Sequence, residues 1–225
     1  MRRAQRNSAL ALVLALFVAA LVLGSCVKLE KQSVDKHFYA LEVTRPTVAA
    51  TGAGTPAFPA TLLVRRLQVA PRVAGRELVY RMDESSWTAD FYNLFFVAPA
   101  DMLTQDLRAW LSAANLFANV VDPGSLVAPA YILEGNVSAL HGDFAARPAQ
   151  AVVEMQFLLL KVSGGERSVV LTRDLRRSVP FDINTPAELV RALRQGVAGI
   201  NAELETALRG AALPAAVPPA STGGK

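Results

Sequence analysis

"AVVEMQFLLLKVSGGERSVVLTRDLRRSV", residues 151–179, decides the fold. In its first part Val153, Met155, Phe157 and Leu159 fall on one side of an extended chain, and Glu154 and Gln156 on the other. A period of two in apolar residues predicts a strand over Ala151–Lys161. Gly164-Gly165 has the backbone freedom a tight two-residue turn demands, so Arg167–Val179 is expected to return alongside as a second strand. Upstream, "YILEGNVSAL" (Tyr131–Leu140) alternates too, with Tyr131, Leu133, Val137 and Ala139 set against Glu134, Asn136 and Ser138. Three such strands in succession predict an antiparallel meander with one apolar face.

An apolar sheet face needs a cover, and two segments have the right period for it. From about Pro99 onward, Leu103, Leu107, Trp110, Leu111 and Ala114 recur at helical spacing. Thr185-Pro186-Ala187-Glu188 has the form of a capping box with proline at the first helical position. It opens a stripe of Leu189, Leu193, Val197, Ile200, Leu204 and Leu208, and Gly210 suits the C-terminal cap. The expected fold is α+β, a two-layer sandwich of a mainly antiparallel sheet with two long amphipathic helices on one face. Shorter β-prone runs lie at Phe38–Val43, Leu62–Ala70, Glu77–Asp83 and Phe117–Val121. Arg45–Thr61, rich in Pro, Gly, Ala and Thr, reads as a long loop.

The 225 residues suffice for one well-buried domain with tails to spare. The net charge of +4 is misleading, because Arg2, Arg3 and Arg6 precede the first acid. Without residues 1–25, 20 of the 23 basic residues face 19 acidic ones, a field too weak to argue for nucleic acid. A single cysteine excludes an intramolecular disulfide and a cysteine metal cluster.

That cysteine stands at a telling place. After the basic "MRRAQRNS", Ala9–Leu23 is an uninterrupted apolar run of 15 residues, the length of a signal h-region and short of a bilayer span. Leu23-Gly24-Ser25-Cys26 then resembles the bacterial lipobox. The resemblance implies cleavage between Ser25 and Cys26 and a diacylglyceryl thioether on Cys26, with further acylation of the new amine. Two or three acyl chains hold a protein at a membrane where one holds it marginally. Val27 is not the aspartate that retains enteric lipoproteins in the inner membrane, which points to the outer membrane and its periplasmic face. The expected organisation is a signal peptide over 1–25, a polar tether over 26–37, one domain over 38–210 and a disordered Pro/Ala-rich tail over 211–225.

Elsewhere chemistry is sparse. "WTADFYNLFF" (Trp87–Phe96) packs Trp87, Phe91, Tyr92, Phe95 and Phe96 into ten residues. They either fill the core beside the first helix or form a partly exposed surface for a partner or an acyl chain. Arg65-Arg66 and Arg173/Arg176/Arg177 are the densest basic spots, read as a solvated strand face or as a contact for acidic partners or headgroups. His37 and His141 are the two histidines, too few and without the carboxylate cluster that zinc needs. His141 lies near Asp143, but no nucleophile motif such as G-x-S-x-G accompanies them. No catalytic residue, metal site or cofactor is expected beyond the acyl groups on Cys26.

The order of these elements resembles the ABC-type transport auxiliary lipoprotein family. The strings that carry it, after the lipobox, are Tyr39-x-Leu41, "RELVYRMDESSW" (Arg76–Trp87), "DFYNLFFVAPADMLTQDLRAWL" (Asp90–Leu111) and "YILEGNVSALHGDF" (Tyr131–Phe144). The resemblance implies a non-enzymatic periplasmic lipoprotein acting beside an ABC permease and ATPase and an MCE (mammalian cell entry) protein. Such systems move lipids or other hydrophobic molecules between the two membranes, and the lipoprotein would dock the MCE component to its membrane. A lipid-binding lipoprotein with a groove between helices and sheet is the alternative, and a homo-oligomer is compatible with either.

Overall fold

The computed structural model describes residues 35–46, 55–182 and 185–213. Ser25, Cys26, the signal segment, most of the tether and the tail beyond Leu213 lie outside them. The body that begins at Lys36 contains nine strands and two α-helices among the described residues. In chain order these are β1 (His37–Tyr39), β2 (Phe58–Val64), β3 (Gln68–Val69), β4 (Glu77–Arg81), β5 (Trp87–Phe95), helix α1 (Pro99–Ala113), β6 (Phe117–Val121), β7 (Tyr131–Asp143), β8 (Gln150–Ser163), β9 (Glu166–Pro180) and helix α2 (Pro186–Gly210).

The meander is the spine of one mixed sheet. β7 pairs antiparallel with β8 from Tyr131↔Lys161 to Asp143↔Gln150, and β8 with β9 from Gln150↔Pro180 to Ser163↔Glu166. Gly164 (φ 59°) and Gly165 (φ 90°) make the turn between them, in the left-handed region that side chains resist. The other side of β7 forks. Parallel partners succeed one another along it: β2 beside Tyr131–Leu133, β3 beside Asn136–Val137 and β4 beside Gly142–Asp143. β2 then carries β6, while β4 carries β5, which carries β1. β1 and β9 thus stand at opposite margins of the sheet.

Both helices cover one face, and the space beneath them is filled. Leu103, Leu107, Trp110 and Leu111 of α1 share one buried cluster with Leu189, Leu193, Val197, Ile200, Leu204 and Leu208 of α2 and with Leu133, Val153, Met155, Phe157 and Leu159 of the sheet. A Cβ on Gly196 would stand 2.9 Å from Val153 Cγ2, so the missing side chain lets α2 lie close on β8. The Thr185 hydroxyl accepts the Glu188 N–H at 3.3 Å, as the capping box requires. The reciprocal half is absent, because the Glu188 carboxylate accepts from Arg191 instead, at 2.6–2.8 Å.

Several local expectations need correction. Leu62–Ala70, expected as one strand, is divided between the end of β2 at Val64 and β3 at Gln68–Val69. Phe58–Thr61, read as loop, begins β2, whose backbone is recruited by β6 on one side and β7 on the other. Phe38–Val43 is a strand only to Tyr39; beyond it the chain leaves the sheet for the helices. There the Leu41 N–H meets Met102 Sδ at 3.5 Å, the Val43 N–H donates to Asp106 Oδ2 at 3.0 Å, and the Arg194 guanidinium donates to the Ala40 and Leu41 carbonyls. Ala139 does not face the helices, because β7 has one extra residue at Ser138. This β-bulge reverses the alternation, so Leu140 and Gly142 continue the helix-facing row while Ala139, His141 and Asp143 turn to the other face. Gly210 is the last helical residue, and Ala211, extended, closes α2 through its N–H to the Leu208 carbonyl.

Candidate functional site

Four of the five clustered aromatics, Trp87, Phe91, Tyr92 and Phe95, lie on β5, and Phe96 follows its last residue; the sequence pattern assigns this segment no secondary structure. β5 is a broken strand. Its register on β4 jumps from Val79↔Ala89 to Glu77↔Leu94, so several residues bulge out between the two points. Asp90 organises the bulge. One carboxylate oxygen accepts the backbone N–H groups of Tyr92 and Asn93 at 2.9 and 3.0 Å, an Asx turn. The other accepts the Tyr80 hydroxyl at 2.6 Å and the Asn93 side-chain amide at 2.9 Å. The Tyr39 hydroxyl donates to Asn93 Oδ1 at 3.0 Å and ties β1 into the same network. Partial burial pushes the Asp90 pKa up, but the hydrogen bonds outweigh it and hold it below the ordinary carboxylate value. Burial, then the bond to Asp90, raises that of the Tyr80 phenol.

This geometry sorts the aromatics. Phe95 is 2% exposed and belongs to the core. Phe91 (58% exposed), Tyr92 (51%) and Phe96 (67%) project outward, and Phe38 on the neighbouring β1 (51%) joins them. Phe38 meets Phe96 edge to face at 6.2 Å, and Phe91 meets Tyr92 likewise at 5.3 Å. Cations lie over the rings: Lys36 Nζ is 4.1 Å from the Phe91 centroid, and the Arg76 guanidinium 5.3 Å from that of Phe38. Trp87, half-buried, is held apart between the Arg72 guanidinium at 4.6 Å and the His141 ring at 4.7 Å. Phe38 is not recognisable from local pattern as a member of this surface, since the β1–β5 pairing that brings it there is parallel and long-range.

The other candidates are occupied structurally. Arg65 pairs with Glu134, Arg66 with Asp101, Arg176 with Glu154, and Arg177 reaches under α2 to Glu203. His141 is buried against Trp87 and its Nδ1 has no hydrogen-bond partner. Burial lowers its pKa to about 4, overriding the pull of Asp143. Asp143 itself pairs with Arg81 at 3.1 Å and accepts the Ala145 N–H at 3.1 Å. Among the described residues no group of three His, Cys, Asp or Glu could hold a metal, and no helix is long and apolar enough to cross a membrane. A groove of about 640 Å³ opens between α1 and the turn after β6, lined by Gln105, Arg108, Ser112 and Asp122 among others.

Comparison with known proteins places this architecture. A family model described as the ABC-type transport auxiliary lipoprotein component matches residues 39–205. A crystal structure of a Xanthomonas campestris protein assigned to the DUF330 family is 20% identical, covers 75% of this chain and 92% of its own, and superposes with a TM-score of 0.62. A second crystal structure, of an uncharacterized protein, is 20% identical, covers 77% and 99%, and gives a TM-score of 0.59. No match was found among curated proteins. At these identities the two crystal structures speak for the fold.

Proposed function

Because the chain belongs to the ABC-type transport auxiliary lipoprotein family, we propose that it is a non-catalytic, lipid-anchored partner of an MCE-linked ABC transport system that moves lipids or other hydrophobic molecules between the inner and outer membranes. The mature protein begins at Cys26, carries diacylglycerol there, and sits on the periplasmic face of the outer membrane. Its domain docks the MCE component to that membrane, while the permease and ATPase supply the energy. The observation that carries this reading is order along the chain: the family match starts at residue 39, just after a lipobox that ends at Cys26.

A filled core favours docking over lipid carriage. Leu133, Phe157, Leu193 and Ile200, which would line a groove between helices and sheet, are 0–1% exposed against one another's layer. The test is a pull-down of the wild-type lipoprotein from membranes under mild crosslinking, with an MCE protein and the ABC subunits expected among the captured proteins. Their absence overturns the assignment to this system. Intact-mass analysis of wild type against Cys26→Ser reads the anchor, and an unmodified wild-type N-terminus overturns lipidation.

A further inference from the structure

We propose that the exposed aromatic margin formed by Phe38, Phe91, Tyr92 and Phe96 is a second membrane contact, which lays the β1–β5 edge of the domain on the bilayer surface. The inference rests on the proposed anchor at Cys26 and names the occupant of the aromatic site.

Three observations choose a bilayer over another partner. The first is where the chain enters. Nine residues, 27–35, separate Cys26 from Lys36, so Lys36 can stand at most about 35 Å from the anchored cysteine. A domain of this size has a radius of gyration of roughly 16 Å. The tether is therefore no longer than the domain is wide. The second is that the tether ends on the aromatic surface itself, since Lys36 lies over Phe91. Phe38, two residues on, meets Phe96, so Lys36, just before β1, and Phe38, within it, each touch one of the two aromatic pairs. The tether therefore keeps this margin within about 35 Å of the anchored cysteine.

The third is the chemistry. Rings at a lipid–water boundary bury their apolar faces among the first acyl carbons, and lysine and arginine reach back to the phosphates. This margin has both: aromatic rings, with Lys36 and Arg76 over them. The acid within the bulge, Asp90, is turned inward to Tyr80 and Asn93, so its charge is spent inside the protein. Arg76 is also fixed, donating through Nε to the Phe95 carbonyl at 2.9 Å. A preformed surface of this kind costs little ordering entropy on binding.

The experiment uses the full-length protein matured in cells and reconstituted in vesicles of phosphatidylethanolamine and phosphatidylglycerol. A thioether on Cys26 leaves no free thiol, so Phe91→Cys, Phe96→Cys and Ser168→Cys each create a single site for a nitroxide label; Ser168 is exposed on β9, at the opposite margin. The expected result is that labels at 91 and 96 become several-fold more accessible to oxygen than to a water-soluble nickel chelate, while the label at 168 stays in water. Labels at 91 and 96 as wet as that at 168 overturn the proposal. So does protection that arises without vesicles through spin–spin coupling, which would mean a second copy covers the margin, or protection that arises only when the transport partner is added. Intact mass of the same preparation reports the anchor separately. If Cys26 proves unmodified, the anchor fails alone, and labels at 91 and 96, distinguished by resolving the Cys26 label from them, still decide the margin by whether they enter the bilayer.

Discussion

Phe95 and Phe96 are adjacent in sequence and opposite in fate, one 2% and the other 67% exposed. Phe95→Ala is expected to cost about 3–5 kcal/mol in denaturant unfolding, and Phe96→Ala no more than about 0.5 kcal/mol. Similar losses in both would mean that the aromatic margin is part of the core. Asp90 is the second decisive residue. Its folded-state pKa is depressed, so its contribution is present above the unfolded value and lost as pH falls through the folded one. Asp90→Asn sets an amide donor against the Asn93 amide and should cost about 1–3 kcal/mol at neutral pH. The gap from wild type should narrow as pH drops below 3.8, the ordinary value for the group. A gap that stays constant with pH in paired unfolding curves would show that the charge of Asp90 is not what holds the bulge. Neither residue's role could be read from the sequence. The five aromatics stood out, but their sorting depends on an Asx turn whose acceptor, Asp90, resembles any other strand aspartate until Tyr80 and Asn93 are brought beside it.

Among the elements, those with strong periodicity were legible and those built by partners were not. β8, β9, α1 and α2 follow from alternation, a Gly-Gly turn and apolar stripes, because local pattern and burial agree there. β5 is not legible because its bulge breaks the period of two, and the start of β2 because Pro56 and Pro59 suggest a loop while parallel pairing with β6 imposes a strand. Ser138 shows the reverse problem: the alternation of β7 holds up to Val137 and is then reversed by one inserted residue. The contact of α2 with β8 gives an element-scale prediction. Gly196→Leu must push Val153 or lift the helix, and should cost about 1–3 kcal/mol, measured by chemical denaturation. An unchanged midpoint would mean that α2 can shift without loss.

At the scale of the molecule, the two helices and the entering chain are joined at Glu205. Its carboxylate accepts from Arg45 at 2.8 and 2.9 Å, from Arg209 at 3.1 Å and from the Trp110 indole at 3.0 Å. The Arg45 hydrogen bond is the largest influence on Glu205 and lowers its pKa. Glu205→Ala leaves Arg45 and Trp110 without this acceptor and should destabilise the fold by about 3 kcal/mol; a thermal midpoint within a degree of wild type would show that the arm and helices hold without it. Neither the joints from Arg45 and Trp110 to Glu205 nor the fork of parallel partners along β7 could be inferred from local pattern, since each spans tens of residues. The route of the entering chain has a mechanical side. β1 runs parallel to β5, and just behind it the arm is fastened to Met102, Asp106, Arg194 and Glu205. A chain tugged from its N-terminus while its body is gripped elsewhere loads these bonds side by side, in shear, and a joint loaded in shear must fail all at once where a peeled one fails bond by bond.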